Sequence, residues 1–93
     1  MASDTELELY ITHDGNMYRE LTRPLQKRLA MEKSIGTYNH ARALREFKAI
    51  TKEGARRYRK EWGTSLGGSE QNGAAKGMLD YFETEHRLGN MKP

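Results

Sequence analysis

The chain has 93 residues, contains no cysteine and carries a formal charge of +3 at pH 7. A chain of this length fits one small domain, which buries only roughly 60–65% of the surface of its unfolded state. The absence of cysteine excludes disulfides, thiolate metal ligands and a thiol nucleophile. No apolar run approaches the roughly 18 residues of a membrane span, and the acidic opening MASDTELELY does not have the pattern of a secretory signal. The mean hydropathy is −0.96, but apolar residues recur in register, unlike in disordered chains.

The charges are distributed unevenly along the chain. Residues 1–14 hold four acidic residues and no Lys or Arg, whereas residues 37–63 hold eight basic and three acidic residues. Residues 15–36 are also basic, with five against two, and residues 64–93 are slightly acidic, with three against four. A basic centre between acidic ends suits phosphate or an acidic partner, although a soluble helix surface can have the same composition.

The first predicted helix covers residues 5–12. Ser3 and Glu6 have the spacing of a capping box, and the apolar residues that follow recur at helical spacing. A strand that ends in a hairpin turn at Asp14-Gly15 is the alternative, because apolar residues before this pair also alternate. The residues after the pair follow helical spacing, which leaves no partner strand. We therefore expect a helix here, with Asp14 as a cap or a kink.

The second predicted helix runs over residues 15–34 and contains Pro24. A proline inside a helix removes one backbone donor and clashes with the carbonyl four residues back, here that of Glu20, so a bend is expected. Gly36 is predicted to end this helix in the left-handed conformation.

The third predicted helix is the most informative, since residues 39–62 contain eight of the sixteen Lys and Arg residues. Thr37 or Asn39 is predicted to cap it and Gly63 to end it. Gly54 inside it costs about 1 kcal/mol relative to alanine, which predicts the close approach of another helix. One side carries an apolar stripe at steps of three and four: Leu44, Phe47, Thr51, Ala55, Tyr58 and Trp62.

The segment over residues 63–73 is rich in glycine and is predicted to be a mobile loop. A last helix is predicted over residues 74–88, ended by Gly89, and residues 90–93 are expected to fray. One face of this helix carries Ala75, Met78, Leu79, Phe82 and His86.

These elements predict one all-α domain over residues 1–93, with three to four helices and a long amphipathic third helix. That helix is expected to pack against the bent second helix and the C-terminal one. Tyr58 and Trp62 share the apolar stripe, so we expect them in the core rather than as stacking surfaces. The predicted core contains Leu44, Phe47, Tyr58 and Trp62, with Leu21, Leu25, Met78 and Phe82 as contacts.

No motif predicts catalysis or a cofactor. Glu83 and His86 form a Glu-x-x-His pair, which helical di-iron proteins use in two copies. This chain has one copy, so a solvated acidic face is predicted rather than a metal site. His13 and His40 have no metal-ligand or relay spacing, and the glycine-rich segment lacks the lysine and hydroxyl of a phosphate-binding loop. We expect no catalytic residue, no metal and no cofactor, and thus not an enzyme.

The basic side of the third helix is the candidate binding face. A row of cations could neutralise several phosphates, but Glu46, Glu53 and Glu61 interleave with it. Arg57 has the i,i+4 spacing for ion pairs with Glu53 and with Glu61. The sequence leaves open nucleic-acid contact, an acidic protein partner or a plain solvated face. The candidate residues are Arg45, Lys48, Lys52, Arg56, Arg59 and Lys60.

Three stretches carry a resemblance: ELELYITHDGNMYREL, GTYNHARALREFKAITKEGARRYRKEWG and YFETEHRLGN. The chain resembles a group of small uncharacterised proteins from phage and environmental sequences. Their pattern reads LELYI-x-x-D, Y-R-x-x-x-x-P, G-x-Y-x-x-x-x-A, A-x-x-Y and E-x-x-L-G-N, which corresponds here to residues 7–14, 18–24, 36–43, 55–58 and 85–90. The resemblance implies a bacterial or mobile-element setting. It carries no established activity, so it assigns no functional residue.

The function favoured by the sequence is non-enzymatic binding, in which the basic face contacts nucleic-acid phosphates without reading base sequence. The alternative is a phage or mobile-element accessory protein that binds and modulates a host protein complex, with the same face against an acidic surface. We expect a cytoplasmic protein, in a bacterial cell or a phage-infected host, without a membrane partner. The sequence does not determine the partner or the oligomeric state.

Overall fold

Four helices joined by short turns make up the computed structural model, which describes residues 4–91. They are α1 (Asp4–His13), α2 in three segments (Gly15–Met17, a π-helical turn at Tyr18–Thr22, and Arg23–Ile35), α3 (His40–Trp62) and α4 (Gly68–Arg87). No strand occurs within the described range, so the predicted all-α class with a long third helix is confirmed. The domain is elongated, with extents of 42, 24 and 19 Å.

Asp14 separates α1 from α2 and acts as the predicted cap. Its backbone is extended (φ −75°, ψ 114°), and its Oδ1 accepts a hydrogen bond of 2.9 Å from the amide of Met17. The Asp14-Gly15 pair therefore begins a helix and not a hairpin. The predicted first helix is confirmed in α1. The predicted capping box depends on Ser3, which lies outside the described residues.

A π-helical turn precedes Pro24 in α2. The amide of Arg23 donates to the carbonyl of Tyr18, five residues back. In a regular α-helix the proline ring would clash with the carbonyl of Glu20, and the wider turn relieves that contact. The π turn at Tyr18–Thr22 was not predicted, and the bend expected at Pro24 stays a prediction. Thr22, at the end of this turn, is fully buried, and its hydroxyl has no hydrogen-bond partner among the described residues.

The ends of α2 and α3 follow the predicted local signals. Gly36 (φ 81°) and Gly63 (φ 73°) take the left-handed conformation directly after α2 and α3. The side chain of Asn39 caps α3 by accepting a hydrogen bond of 2.9 Å from the amide of Arg42. Asn39, rather than Thr37, is therefore the N-cap.

α4 begins at Gly68, inside the segment over residues 63–73 that was predicted to be a mobile loop, so the prediction is wrong for the second half of that segment. The turn is held in place because Leu66 is buried and its carbonyl accepts a hydrogen bond of 2.9 Å from Nε2 of Gln71. The amide of Gln71 also donates to the carbonyl of Gly67 at 3.0 Å, which closes the first turn of α4. Packing of α4 on its neighbours offsets the low helix propensity of the glycines.

The chain after α4 makes several contacts with the helix and the core. Gly89 (φ 85°) follows α4 as expected. The amide of Asn90 donates to the carbonyl of Glu85 at 2.9 Å, and Nδ2 of Asn90 donates to the carboxylate of Glu85 at 2.6 Å. Met91 packs against the core. The fraying predicted for residues 90–93 stays a prediction, although Asn90 and Met91 make these contacts, and the last two residues lie outside the described range.

All four helices contribute buried side chains to the core, and within it α1, α3 and α4 pack against one another. The packing of α3 on the C-terminal helix is as predicted, and α1 joins them. α2 meets α3 through the ion pairs of Arg28 with Glu46 and of Arg42 with Glu32, the second at 2.5 Å. The largest fully buried side chains are Phe47, Phe82, Leu7, Ile11, Met17 and Leu29.

The predicted core is confirmed in part. Phe47 is fully buried, whereas Leu44 and Tyr58 are half-buried at the edge of the core. Trp62 was predicted to be buried, and this is wrong, because its side chain is 63% exposed. Of their predicted contacts, three are buried and one is half-buried: Leu25, Met78 and Phe82, then Leu21.

Candidate functional site

The six predicted binding residues lie on one helix, α3, on the side opposite the buried Phe47 and Gly54. Their spacing of three and four residues aligns most of them along one face, because an α-helix has 3.6 residues per turn. Five of them are exposed and one is half-buried: Arg45, Lys52, Arg56, Arg59 and Lys60, then Lys48. The basic face, as we call these six residues, is therefore accessible along the helix.

Three residues of the basic face line an open cleft of about 260 Å³: Lys52, Arg56 and Arg59. The opposite wall comes from the turn before α4 and its first turn, through Ser65 and Gln71, with Leu66 at the base. The wall is fixed because Leu66 is buried and bonded to Gln71. The cleft was not predicted, because the segment that forms its opposite wall was predicted to be a mobile loop.

The acidic residues of α3 each have a partner. Glu46 pairs with Arg28 of α2, and Glu61 accepts a hydrogen bond of 2.9 Å from the hydroxyl of Tyr10. Glu53 accepts hydrogen bonds from Nε of Arg56 at 2.7 Å and from Nε of Arg57 at 2.8 Å. Two of the three carboxylates are thus bonded to residues of other helices.

The predicted ion pair of Arg57 with Glu53 is confirmed. The predicted pair of Arg57 with Glu61 is not formed within residues 4–91, because Arg57 turns toward Glu53 and Glu61 toward Tyr10. The hydrogen bonds from Arg56 and Arg57 lower the pKa of Glu53 to about 2. The same contact raises the pKa of Arg56 above its ordinary value. Glu53 is therefore anionic at neutral pH and neutralises part of the basic face.

The other five members of the basic face have no carboxylate within salt-bridge distance in the described part of the chain: Arg45, Lys48, Lys52, Arg59 and Lys60. A row of uncompensated cations attracts phosphates or carboxylates of a partner. This positive charge is the main electrostatic feature of α3.

An aromatic row begins beside the basic face. The ring centroid of Trp62 lies 6.3 Å from that of Tyr58, which in turn lies edge-on to Tyr10 at 5.3 Å. Trp62 is the last residue of α3, directly before the left-handed Gly63, where the chain turns away. Within residues 4–91, no element after α3 covers its ring, which is 63% exposed. Helical spacing alone therefore predicted the wrong burial. Burial and the hydrogen bond to Glu61 raise the pKa of Tyr10 to about 12.

The Glu-x-x-His pair of α4 lies in a hydrogen-bonded cluster. The carboxylate of Glu83 accepts a hydrogen bond of 2.6 Å from Tyr38 and lies 2.8 Å from Nδ1 of His40, while the ring of His86 lies 6.0 Å from that of Phe82. Burial raises the pKa of Glu83, but the bonds from Tyr38 and His40 outweigh it and leave that pKa below its usual value. Across residues 4–91, no group of three His, Asp or Glu side chains has the arrangement of a metal site.

A second concave surface lies between α1, α2 and α4. It is a groove of about 470 Å³ with three exposed apolar or aromatic side chains, Leu9, Tyr18 and Tyr81. Polar groups also line it, among them His13 and Gln26. This groove could not be predicted from the sequence, because it forms only where three helices meet.

The fold and the site define a small four-helix domain with one basic face and one aromatic row. No protein-family model, curated protein or solved structure matches this chain. None of the helices that the structure describes combines the length and the apolar character that are needed to cross a membrane.

Proposed function

We propose that this protein binds nucleic acid through the basic face of α3, without catalysis and without a cofactor. The observation that carries the proposal is the cleft in which Lys52, Arg56 and Arg59 converge. Lys52 and Arg59 have no carboxylate partner within the described residues, so their charge is available to a ligand. The cleft is open to solvent and its opposite wall is held by Leu66 and Gln71.

The proposed contact is to the phosphate backbone. Guanidinium and ammonium groups donate hydrogen bonds to phosphate oxygens, and each neutralised phosphate releases condensed counterions. Such contacts position a protein on nucleic acid without reading the base sequence. Binding is therefore expected to be independent of sequence and to weaken steeply as salt is added.

The test is a fluorescence-anisotropy titration of labelled mixed-sequence DNA and RNA at low and moderate salt. The Lys52→Glu/Arg59→Glu variant is expected to lose binding, because two attractive contacts become repulsive. The matched control is Arg23→Glu/Lys27→Glu, the same charge change at two exposed residues of α2. It is expected to retain the cleft contacts and most of the affinity.

Circular dichroism would establish that both variants remain folded. Absence of binding by the unaltered protein at micromolar concentration and low salt would overturn the proposal. Equal loss of affinity in both variants would also contradict it, because net charge rather than the cleft would then determine binding.

The alternative proposal is an accessory protein that binds and modulates a host protein complex. The groove between α1, α2 and α4 favours it, because exposed Leu9, Tyr18 and Tyr81 lie around one concavity. Apolar side chains around a groove are typical of protein interfaces. Purification of partners with and without nuclease separates the two proposals, since only protein-bound partners survive nuclease.

In either case we place the protein in the cytoplasm of a bacterium or a phage-infected host, following the resemblance to phage sequences.

A further inference from the structure

Trp62 is the largest apolar side chain beside the basic face, and it is 63% exposed. Arg59 precedes it by three residues, so the two side chains are neighbours on the helix surface, with Cβ atoms about 5–6 Å apart. One side of the indole faces the aromatic row, where Tyr58 lies at 6.3 Å between centroids. The ring is thus supported on the core side and open on the other.

We infer that the ligand of the basic face is single-stranded nucleic acid, with a base stacked on Trp62. The inference rests on the proposed function and adds the class of nucleic acid to it. Aromatic side chains combined with a row of cations are the two parts of non-specific single-strand binding sites. The cations contact the backbone, and the ring binds the face of a base.

The geometry favours a single strand over a duplex. In a duplex the faces of the bases are covered by their neighbours in the stack, so an exposed indole gains nothing from them. In a single strand the bases can rotate out while the phosphates remain on the cations. The distance along α3 from Arg45, the first residue of the basic face, to Trp62 is roughly 25 Å at about 1.5 Å per residue. This length is enough for several nucleotides.

The order of groups along α3 sets the direction of this contact. The cleft with Lys52, Arg56 and Arg59 lies along the C-terminal half of α3, and Trp62 lies at the end of the helix. A strand whose phosphates occupy the cleft reaches Trp62 about one helical turn beyond Arg59. The stacked base therefore lies at the end of the phosphate-binding segment rather than within it.

The chain provides its own probe, because Trp62 is its single tryptophan. Fluorescence excited at the long-wavelength edge of indole absorption, where the five tyrosines do not absorb, therefore reports on this side chain alone. The anisotropy of a labelled oligonucleotide reports on binding of any kind. The ligands are oligothymidylate, oligouridylate, a mixed-sequence duplex and an abasic oligomer of the same length. The abasic oligomer retains the phosphates and lacks the bases.

The expected result is binding of both single strands with quenching of Trp62, weaker binding of the duplex, and binding of the abasic oligomer without quenching. Trp62→Ala is expected to weaken oligothymidylate binding about ten-fold, as for the loss of one stacked base. Trp62→Phe retains a ring and is expected to keep most of the affinity. Ile35→Ala, at an apolar residue of α2 that is 64% exposed and lies outside both the cleft and the groove, is the matched control and is expected to bind normally.

Two outcomes separate this inference from the proposed function. Equal binding of oligothymidylate and the abasic oligomer, without quenching, would overturn base stacking and leave phosphate binding intact. Absence of binding to every oligonucleotide at low salt would overturn the proposed function and this inference together. A preference for oligouridylate over oligothymidylate would identify RNA as the ligand, and the reverse would identify DNA.

Discussion

A β-carbon on Gly54 of α3 would lie 2.6 Å from Cγ1 and 2.7 Å from Cδ1 of Ile11 in α1. The two helices therefore meet at a separation that only glycine allows. This contact explains why a residue of low helix propensity occupies the middle of a 23-residue helix.

Replacement of Gly54 by alanine is expected to destabilise the fold. Helix propensity alone would favour alanine by about 1 kcal/mol, but overpacking of a buried contact typically costs about 1–3 kcal/mol. The cost is expected to be smaller in an Ile11→Ala background, where the clashing atoms are absent. Urea denaturation of the two single variants and the double variant measures this coupling.

Gly68→Ala is the matched control, because Gly68 lies in α4 and nothing lies within 4 Å of a β-carbon there. It is expected to leave the free energy of unfolding unchanged or to raise it. A denaturation midpoint for Gly54→Ala at or above that of the unaltered protein would contradict the assignment of this contact.

Two aromatic residues of α3 are expected to respond differently to truncation. Phe47 is fully buried, so Phe47→Ala is expected to cost about 3–5 kcal/mol, which is a large part of the stability of so small a domain. Trp62 is mostly exposed, and Trp62→Ala is expected to cost about 1 kcal/mol or less. Thermal melts followed by far-ultraviolet circular dichroism compare the two. A larger loss for Trp62→Ala than for Phe47→Ala would contradict the observed burial.

Two fully buried threonines provide a further matched pair. The hydroxyl of Thr22 has no hydrogen-bond partner among the described residues, whereas that of Thr51 donates to the carbonyl of Lys48 at 3.0 Å. Valine has nearly the same shape and no hydroxyl. Thr22→Val is therefore expected to stabilise the fold by about 1 kcal/mol, and Thr51→Val to destabilise it by a similar amount. Destabilisation by Thr22→Val in urea denaturation would indicate that its hydroxyl is bonded.

The helix ends could be predicted because their signals are local. Asp14 and Asn39 are N-caps whose side chains reach an amide three residues on, and Gly36 and Gly63 end helices in the left-handed region. These interactions involve only near neighbours in sequence. The start of α4 could not be predicted, because it depends on the burial of Leu66 by tertiary packing, which outweighs the glycine content of the turn.

The candidate site could likewise be predicted only where it depends on local helical spacing. Helical spacing correctly aligned Lys52, Arg56 and Arg59 on one face, because periodicity determines which residues share a side of a helix. Periodicity does not determine how far a neighbouring helix extends, and Trp62 lies beyond the cover of its neighbours. The partner of Glu61 was also unpredictable, since Tyr10 lies on another helix.

Alkaline pH is expected to weaken the contact between α1 and α3. The pKa of Tyr10 is raised to about 12 from an ordinary value of about 10, because burial and the bond to Glu61 disfavour the phenolate. Since the folded state raises this pKa, the corresponding contribution to the free energy of unfolding is complete below about pH 10 and is lost as the pH rises toward 12.

Tyr10→Phe is expected to remove this pH-dependent contribution to stability. The control is Tyr18→Phe, at a partly exposed tyrosine. Urea denaturation at a series of pH values between pH 9 and pH 12 measures how the free energy of unfolding depends on pH. A pH profile for Tyr10→Phe that equals the profile of the unaltered protein would contradict the assignment.

Glu53→Gln is expected to strengthen phosphate binding. Glu53 is the carboxylate that neutralises Arg56, and its pKa of about 2 keeps it charged at neutral pH. Glutamine in its place leaves Arg56 and Arg57 free to contact phosphates. The slope of the binding constant against salt concentration, both on logarithmic scales, is therefore expected to steepen by roughly the amount for one more contacted phosphate.

The matched control is Glu46→Gln, which makes the same charge change on α3 at a residue paired with Arg28. Salt titrations of labelled oligonucleotide binding compare the slopes. A slope for Glu53→Gln that equals the slope for Glu46→Gln would show that Glu53 does not regulate the basic face.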